Sequence, residues 1–217
     1  MGLNVIMMGA PGAGKGTQAG RFARERGLPK ISTGDMLREA IKAGDPVALK
    51  VKERMDRGEL ADDVTMIEIV RKRLQQPDAQ AGFVLDGFPR TVAQAKALDG
   101  IMDERNNGPL IVVDVMVPPE ELVRRLATRR ICVDCQTNAD PKATDRCLKC
   151  GGRLEQRTDD NQDVVRERLS VYVRETKPVL EFYRERPTFR VVNGAQPPDR
   201  VAQELDTMID DAAATRA

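Results

Sequence analysis

Gly9-Ala-Pro-Gly-Ala-Gly-Lys15-Gly-Thr17 follows an apolar run and opens a stretch of helical period, the strand-turn-helix context that a phosphate-binding loop requires. Gly12, Ala13, Gly14, Lys15, Gly16 and Thr17 would wrap phosphate oxygens, because glycines let backbone N–H groups come close and the helix N-terminus adds positive potential. Lys15 can reach the β and γ phosphates, and Thr17 would face magnesium. Gly16 stands where Ser or Thr usually follows the lysine, so the hydroxyl comes one place later. The bland alternative is a glycine-rich turn without a ligand.

Leu85-Asp86-Gly87-Phe88-Pro89-Arg90 ends a second apolar run. A carboxylate at the carboxyl edge of a parallel sheet faces the ligand crevice, so Asp86 is suited to hold magnesium directly or through water. Arg90 offers a bidentate fork for phosphate. Read alone, the same residues could be a helix cap and a solvated arginine. Ser32-Thr33-Gly34-Asp35-Met36-Leu37-Arg38 also starts a helical pattern, where Ser32 or Thr33 could simply be the N-cap and Arg38 a surface residue.

Cys132-x-x-Cys135 and Cys147-x-x-Cys150 are two knuckles within one polar segment. Paired thiolates can close a tetrahedral, structural zinc site; disulfides or free thiols are the alternative. The sequence contains no histidine. Imidazole bases and Ser-His or Cys-His nucleophilic pairs are therefore excluded. What remains natural is chemistry governed by positioning and charge, of which phosphoryl transfer is the leading example.

Elements must hold these groups. Leu3 to Met8, Phe83 to Leu85, Leu110 to Val117 and Phe189 to Val192 are short, Val- and Ile-rich runs that read as buried strands, with a further short strand near Leu28 to Ile31. Asp62 to Gln75, Thr91 to Glu104, Glu120 to Arg129 and Val164 to Arg186 have helical period, the last starting at Asp159, Asp160 and Asn161. The alternation predicts an α/β fold, a P-loop NTPase three-layer sandwich with about five parallel strands flanked by helices. Residues 32–61 read as two or three short helices inserted between strands, and residues 130–160, with Pro141 and Gly151-Gly152, fit the alternation poorly.

The chain has 217 residues, 41% hydrophobic and 32% charged, with a formal net charge of +1. That is one compact unit with no global field for nucleic acid or a membrane surface. Met1 to Met8 carries no basic leader and no window approaches a membrane span, so cytoplasmic residence is the default; a monomer is expected besides. Met1-Gly2 does not open a myristoylation motif, because Ile6 stands where Ser or Thr is needed.

The ordered set Gly-Lys-Gly-Thr, Ser-Thr-Gly-Asp-Met-Leu-Arg and Asp-Gly-Phe-Pro-Arg resembles the adenylate kinase family over nearly the whole chain. The resemblance implies magnesium-dependent phosphoryl transfer between ATP and AMP, giving ADP. It implies a core of residues 1–31, 62–127 and 161–217, a mobile AMP lobe at 32–61 and a mobile lid at 128–160. It puts AMP on Thr33, Arg38, Glu59, Leu60, Ala61, Gly87, Phe88, Pro89, Arg90 and Gln94, with Arg38 and Arg90 on its phosphate. Arg125, Arg129, Arg157 and Arg168 would converge on the phosphates, the latter two also serving AMP. Arg125 and Arg129, four apart, are expected on one helix face.

Arg129 and Gln196, in the Gly194-Ala195-Gln196 loop, would lie on the adenine side of ATP. The residues between the knuckles are fewer than in the usual long lid and lack its aromatic segment. Rival readings are a UMP/CMP kinase, an AMP kinase using GTP, and a zinc ribbon binding nucleic acid through Arg129, Arg130, Arg146, Lys149 and Arg153. The near-zero charge and 3% aromatic content oppose the last.

Overall fold

The computed structural model describes residues 2–135, 137–140, 143–157 and 160–214, so Pro141 and Asp159 lie outside the described residues. Five strands form a parallel sheet in the order β2-β3-β1-β4-β7: β1 (Leu3–Met8), β2 (Lys30–Ser32), β3 (Gly82–Asp86), β4 (Leu110–Met116) and β7 (Phe189–Asn193). Val5 and Met7 pack into one apolar cluster while Ile6 and Met8 pack into the other. A strand buried on both faces reads as a continuous apolar run, which is why β1 and β4 were plain in the sequence.

One face is covered by α1 (Lys15–Glu25), α6 (Pro119–Ala127) and α9 (Pro198–Ala214). The other is covered by α2 (Thr33–Lys42), α3 (Pro46–Asp56), α4 (Asp63–Leu74), α5 (Val92–Arg105) and α8 (Lys177–Tyr183). This is the three-layer α/β arrangement of P-loop NTPases. Phe83, Tyr183 and Phe88 are the largest fully buried side chains of the second cluster. Truncating such a ring costs about 3–5 kcal/mol, so this layer anchors the strand that carries Asp86. Among the described residues, no helix is long and apolar enough to cross a membrane.

Three boundaries differ from the sequence reading. Leu28 is not in a strand: its N–H closes α1 by donating to the Ala23 carbonyl at 2.8 Å, and pairing begins at Lys30. Arg129 is not on a helix face with Arg125, because α6 ends at Ala127 and Thr128 caps it. The expected helix Val164 to Arg186 is instead α7 (Gln162–Val171), a π-helical turn Tyr172–Thr176, and α8. Pro178 lacks an N–H to continue the ladder, and the Lys177 N–H reaches back five residues to the Tyr172 carbonyl.

The polar segment after α6 forms a short antiparallel pair, β5 (Arg130–Cys132) with β6 (Leu154–Gln156), extended by single bridges Ile131–Asn138 and Arg146–Arg153.

Candidate active site

The strand order puts the carboxyl ends of β1, β3 and β2 side by side, with Met7 opposite Asp86 and Asp86 opposite Ser32. The loop after β1 therefore meets Asp86 and the start of α2 at one edge. Gly14, with φ of 93°, caps α1, and the turn is closed by Thr17 and Gln18 N–H groups donating to its carbonyl. Lys15 folds back so that Nζ donates to the Ala10 carbonyl at 2.9 Å. Burial pushes its pKa down to about 8, the fields of Arg90, Arg168 and Arg129 add to that, and Asp86 opposes them.

Thr33, Gly87, Arg90 and Gln94 form a hydrogen-bonded floor. Ser32, not Thr33, is the N-cap of α2, accepting the Asp35 N–H at 3.3 Å. This frees buried Thr33 to donate to the Gly87 carbonyl at 2.9 Å, which also accepts from Arg90 Nε at 2.8 Å. Arg38 pairs with Asp35 one helical turn away. Phe88 is buried, and the Phe88-Pro89 peptide bond is cis. Thr176, from the π-helical turn, donates to the Arg90 carbonyl at 3.0 Å.

Gln94 is 2% exposed, its amide oxygen accepts the Arg90 N–H at 2.8 Å, and its NH2 donates to Asp63 at 2.8 Å. One N–H and one lone pair of that amide remain for another group. Glu59 sits on the exposed rim, paired with Arg57 and Arg54. Leu60 and Ala61 follow it, partly buried, and Ala61 packs on the core. Gly58, at φ 81°, passes so close to α7 that a Cβ there would lie 2.9 Å from Arg168 Cγ.

On the opposite side, Arg125 reaches toward Gly14 and is held by Glu121, whose Oε1 accepts from its Nε at 2.8 Å. Asp160 is the joint of the arginine cluster. Its side chain is 0% exposed, it accepts from Arg129 Nε at 2.6 Å and Nη2 at 2.5 Å, and from Arg168 Nη1 at 2.9 Å. Arg157 precedes it, its carbonyl accepting the Asp160 N–H at 3.1 Å. Gln196 is directed away from this cluster, to the Asn193 carbonyl and Glu204.

Four carboxylates were not picked out as site residues by the sequence reading: Asp160, Asp63, Asp35 and Asp114. Asp114 sits near the end of β4 beside Lys15's field, and burial pushes its pKa up. Lys30 was missed too, with Nζ 3.5 Å from Asp86 and 3.6 Å from Asp35. Asp63 and Lys30 lie next to residues that were singled out, but Thr91 and Gln94 for Asp63 and Asp86 for Lys30 are remote in sequence, and only the folded chain reveals these pairings.

Asp86 and Asp35 are hard oxygen donors of the kind magnesium takes. The four sulfurs of Cys132, Cys135, Cys147 and Cys150 lie within 4.8 Å of one another, with Cys132–Cys150 at 3.4 Å and Cys135–Cys147 at 3.6 Å. A zinc ion with sulfurs about 2.3 Å away requires sulfur separations of roughly 3.8 Å, so the set fits. Thr137 Oγ1, 2.9 Å from Cys135 Sγ, helps draw that thiol down to about 6.

A family model described as adenylate kinase matches residues 7–188. The chain is 47% identical over 213 residues to an adenylate kinase of Archaeoglobus fulgidus, covering 96% of this chain and 98% of that one. It is 46% identical over 212 residues to an adenylate kinase of Geobacillus sp. (strain WCH70), covering 95% and 98%. It is 45% identical over 212 residues to an adenylate kinase of Methanocella arvoryzae, with the same coverage.

Two outcomes follow from this geometry. The folded chain holds Lys15 at about 8 against an ordinary 10.5, so between those values the unfolded chain binds more protons and nucleotide-free stability rises with pH. Denaturant melts from pH 7.5 to about 10 should show that rise in the native protein and not in Lys15→Met. Asp160→Asn removes the buried carboxylate charge that Arg129 and Arg168 share, and should lower stability by about 3 kcal/mol. Added phosphate should recover more of the thermal stability in that variant than in the native chain.

Proposed function

Because this chain belongs to the adenylate kinase family, we propose that it moves a phosphoryl group reversibly from ATP to AMP, giving two ADP, at the cations gathered around Lys15. The observation that carries this reading is that Arg129 and Arg168, from separate segments, converge on the buried Asp160 while Arg125 reaches Gly14, the cap of the helix that Lys15 opens. Such a cluster matches the charge on a transferred phosphoryl group and its two neighbours.

The donor phosphates would lie on the backbone N–H groups of residues 12–17, with Lys15 on the β and γ oxygens and Arg125 and Arg129 from the far side. Gln196 would serve the donor adenine only after leaving Glu204. AMP would take its phosphate to Arg38 and Arg90, its ribose and base to Thr33, residues 59–61 and 87–89, and the free edge of Gln94. Arg157 and Arg168 would bridge the two phosphates in line. No base is needed, because the AMP phosphate is already an anion at neutral pH. Alignment and fixed positive charge supply the acceleration.

When bound with ATP, magnesium would supply Lewis-acid charge neutralisation, with Thr17 and Asp86 as its protein partners. Residues 32–61 and 128–160 would act as lobes that close on the core of 1–31, 62–127 and 161–217. Closure would exclude water, which otherwise competes with AMP as acceptor. The four cysteines would hold a structural zinc that stiffens the second lobe, since four protein ligands leave no open position. The chain is read as a monomer acting in the cytoplasm.

Phosphorus NMR of the protein with ATP, magnesium and AMP should show both substrates converting to ADP, with GMP, CMP and UMP inert. Lys15→Met should abolish transfer while the circular dichroism spectrum is unchanged. A different preferred monophosphate would move the acceptor assignment away from Thr33 and Gln94; no transfer to any would overturn the reading. Chelation, or Cys132→Ser, should lower the melting temperature, and equal melting curves with and without chelator would count against the zinc.

A further inference from the structure

Lys30 belongs to none of the sequence motifs and has no part in the reaction described above. Its ammonium nevertheless reaches the edge where the Gly9–Thr17 loop meets Asp86. Its strand, β2, pairs with β3 so that Ser32 lies opposite Asp86, and the Lys30 side chain runs toward the carboxyl end beside α1. A Cβ built on Gly20 would lie 3.8 Å from Lys30 Cδ, so the stem packs along the first turns of that helix. The ammonium then stands 3.5 Å from Asp86 Oδ2 and 3.6 Å from Asp35 Oδ2, with its side chain 27% exposed.

The position this pair occupies is informative. A Cβ on Gly16 would stand 3.0 Å from Asp86 Oδ2 and 3.7 Å from Lys30 Nζ. Position 16 is where the usual phosphate loop carries the hydroxyl that faces the metal. The Lys30–Asp86 pair thus borders the space in which a phosphate-bound divalent cation must sit. Neither contact of the ammonium is a short, fixed hydrogen bond, and a lysine head on a four-carbon stem can be displaced without disturbing the backbone.

We propose that Lys30 is a resident counter-cation of the magnesium site, neutralising Asp86 and Asp35 when no nucleotide is bound and competing with the divalent cation when one arrives. The inference rests on the reading of Asp86 as the metal's carboxylate. Two consequences distinguish it from a plain ion pair tying α2 to the sheet. A unit positive charge 3.5 Å from the carboxylate that would take the metal weakens metal binding, and removing it strengthens binding; at partial exposure the expected effect is about tenfold. The effect shrinks as salt is added.

The test is titration of the protein and ADP with Mn2+, free metal being read by electron paramagnetic resonance, for the native chain, Lys30→Gln, Lys30→Arg and Asp86→Asn. Melting curves first establish that each variant is folded. Lys30→Gln should hold Mn2+ about tenfold more tightly at low salt, with the difference fading at high salt, and Lys30→Arg should track the native chain. Asp86→Asn should hold it more weakly. Weaker Mn2+ binding in Asp86→Asn together with unchanged or weakened binding in Lys30→Gln would overturn the role of Lys30 and leave the metal reading standing. Unchanged binding in Asp86→Asn would overturn the metal reading of Asp86, and the inference with it.

Discussion

The rest of the site depends on one constraint: cations from separate segments must be oriented around Lys15 despite their mutual repulsion. Burial is the first cause of the depressed pKa of Lys15, and repulsion from Arg90, Arg168 and Arg129 lowers it further against the opposing field of Asp86. The fold answers with carboxylates on the outer side of the cluster. Asp160 grips Arg129 and Arg168 at once, Glu121 holds Arg125, and Asp35 holds Arg38. The arginines are thus oriented by the protein's own carboxylates. Preorganised charge of this kind needs no reorganisation at the moment of reaction.

The sheet supplies the frame against which these pairs are set. Parallel strands in the order β2-β3-β1-β4-β7 bring Lys30, Asp86, the Gly9–Thr17 loop and Asp114 to one edge. Apolar clusters on both faces fix that register, since a slip by one residue would exchange Val5 and Met7 for Ile6 and Met8. The hydrogen bonds beyond the sheet then transmit the register to the loops. Thr33 and Arg90 share the Gly87 carbonyl, Gln94 and Thr91 share Asp63, and Thr176 holds the Arg90 carbonyl from a helix more than eighty residues away.

How much of this was legible in the sequence follows from which forces are local. The strands were legible because burial on both faces removes polar residues from them, and the phosphate loop because its backbone needs glycine at fixed places. The two cysteine knuckles were legible because ligand spacing is a local property, and the structure brings their four sulfurs together. Helix ends were less so. Arg129 continued the pattern of α6, but the helix stops at Ala127 and the arginine turns to a carboxylate far along the chain. The π-helical turn at Tyr172–Thr176 reflects Pro178 acting at a distance along the ladder. The pairings Asp160–Arg129, Asp63–Gln94 and Lys30–Asp86 could not be read at all, because contact across tens of residues leaves no trace in spacing.

The central claim is that one cluster of cations serves two phosphate-bearing sites, one on the Gly9–Thr17 loop and one on the floor formed by Thr33, Arg38 and Arg90. Calorimetric titration of the protein with ADP measures this most directly. Two ADP molecules per chain are expected, with Arg90→Ala losing one and keeping the other near its native affinity. A single ADP per native chain, or loss of both in that variant, would contradict the account.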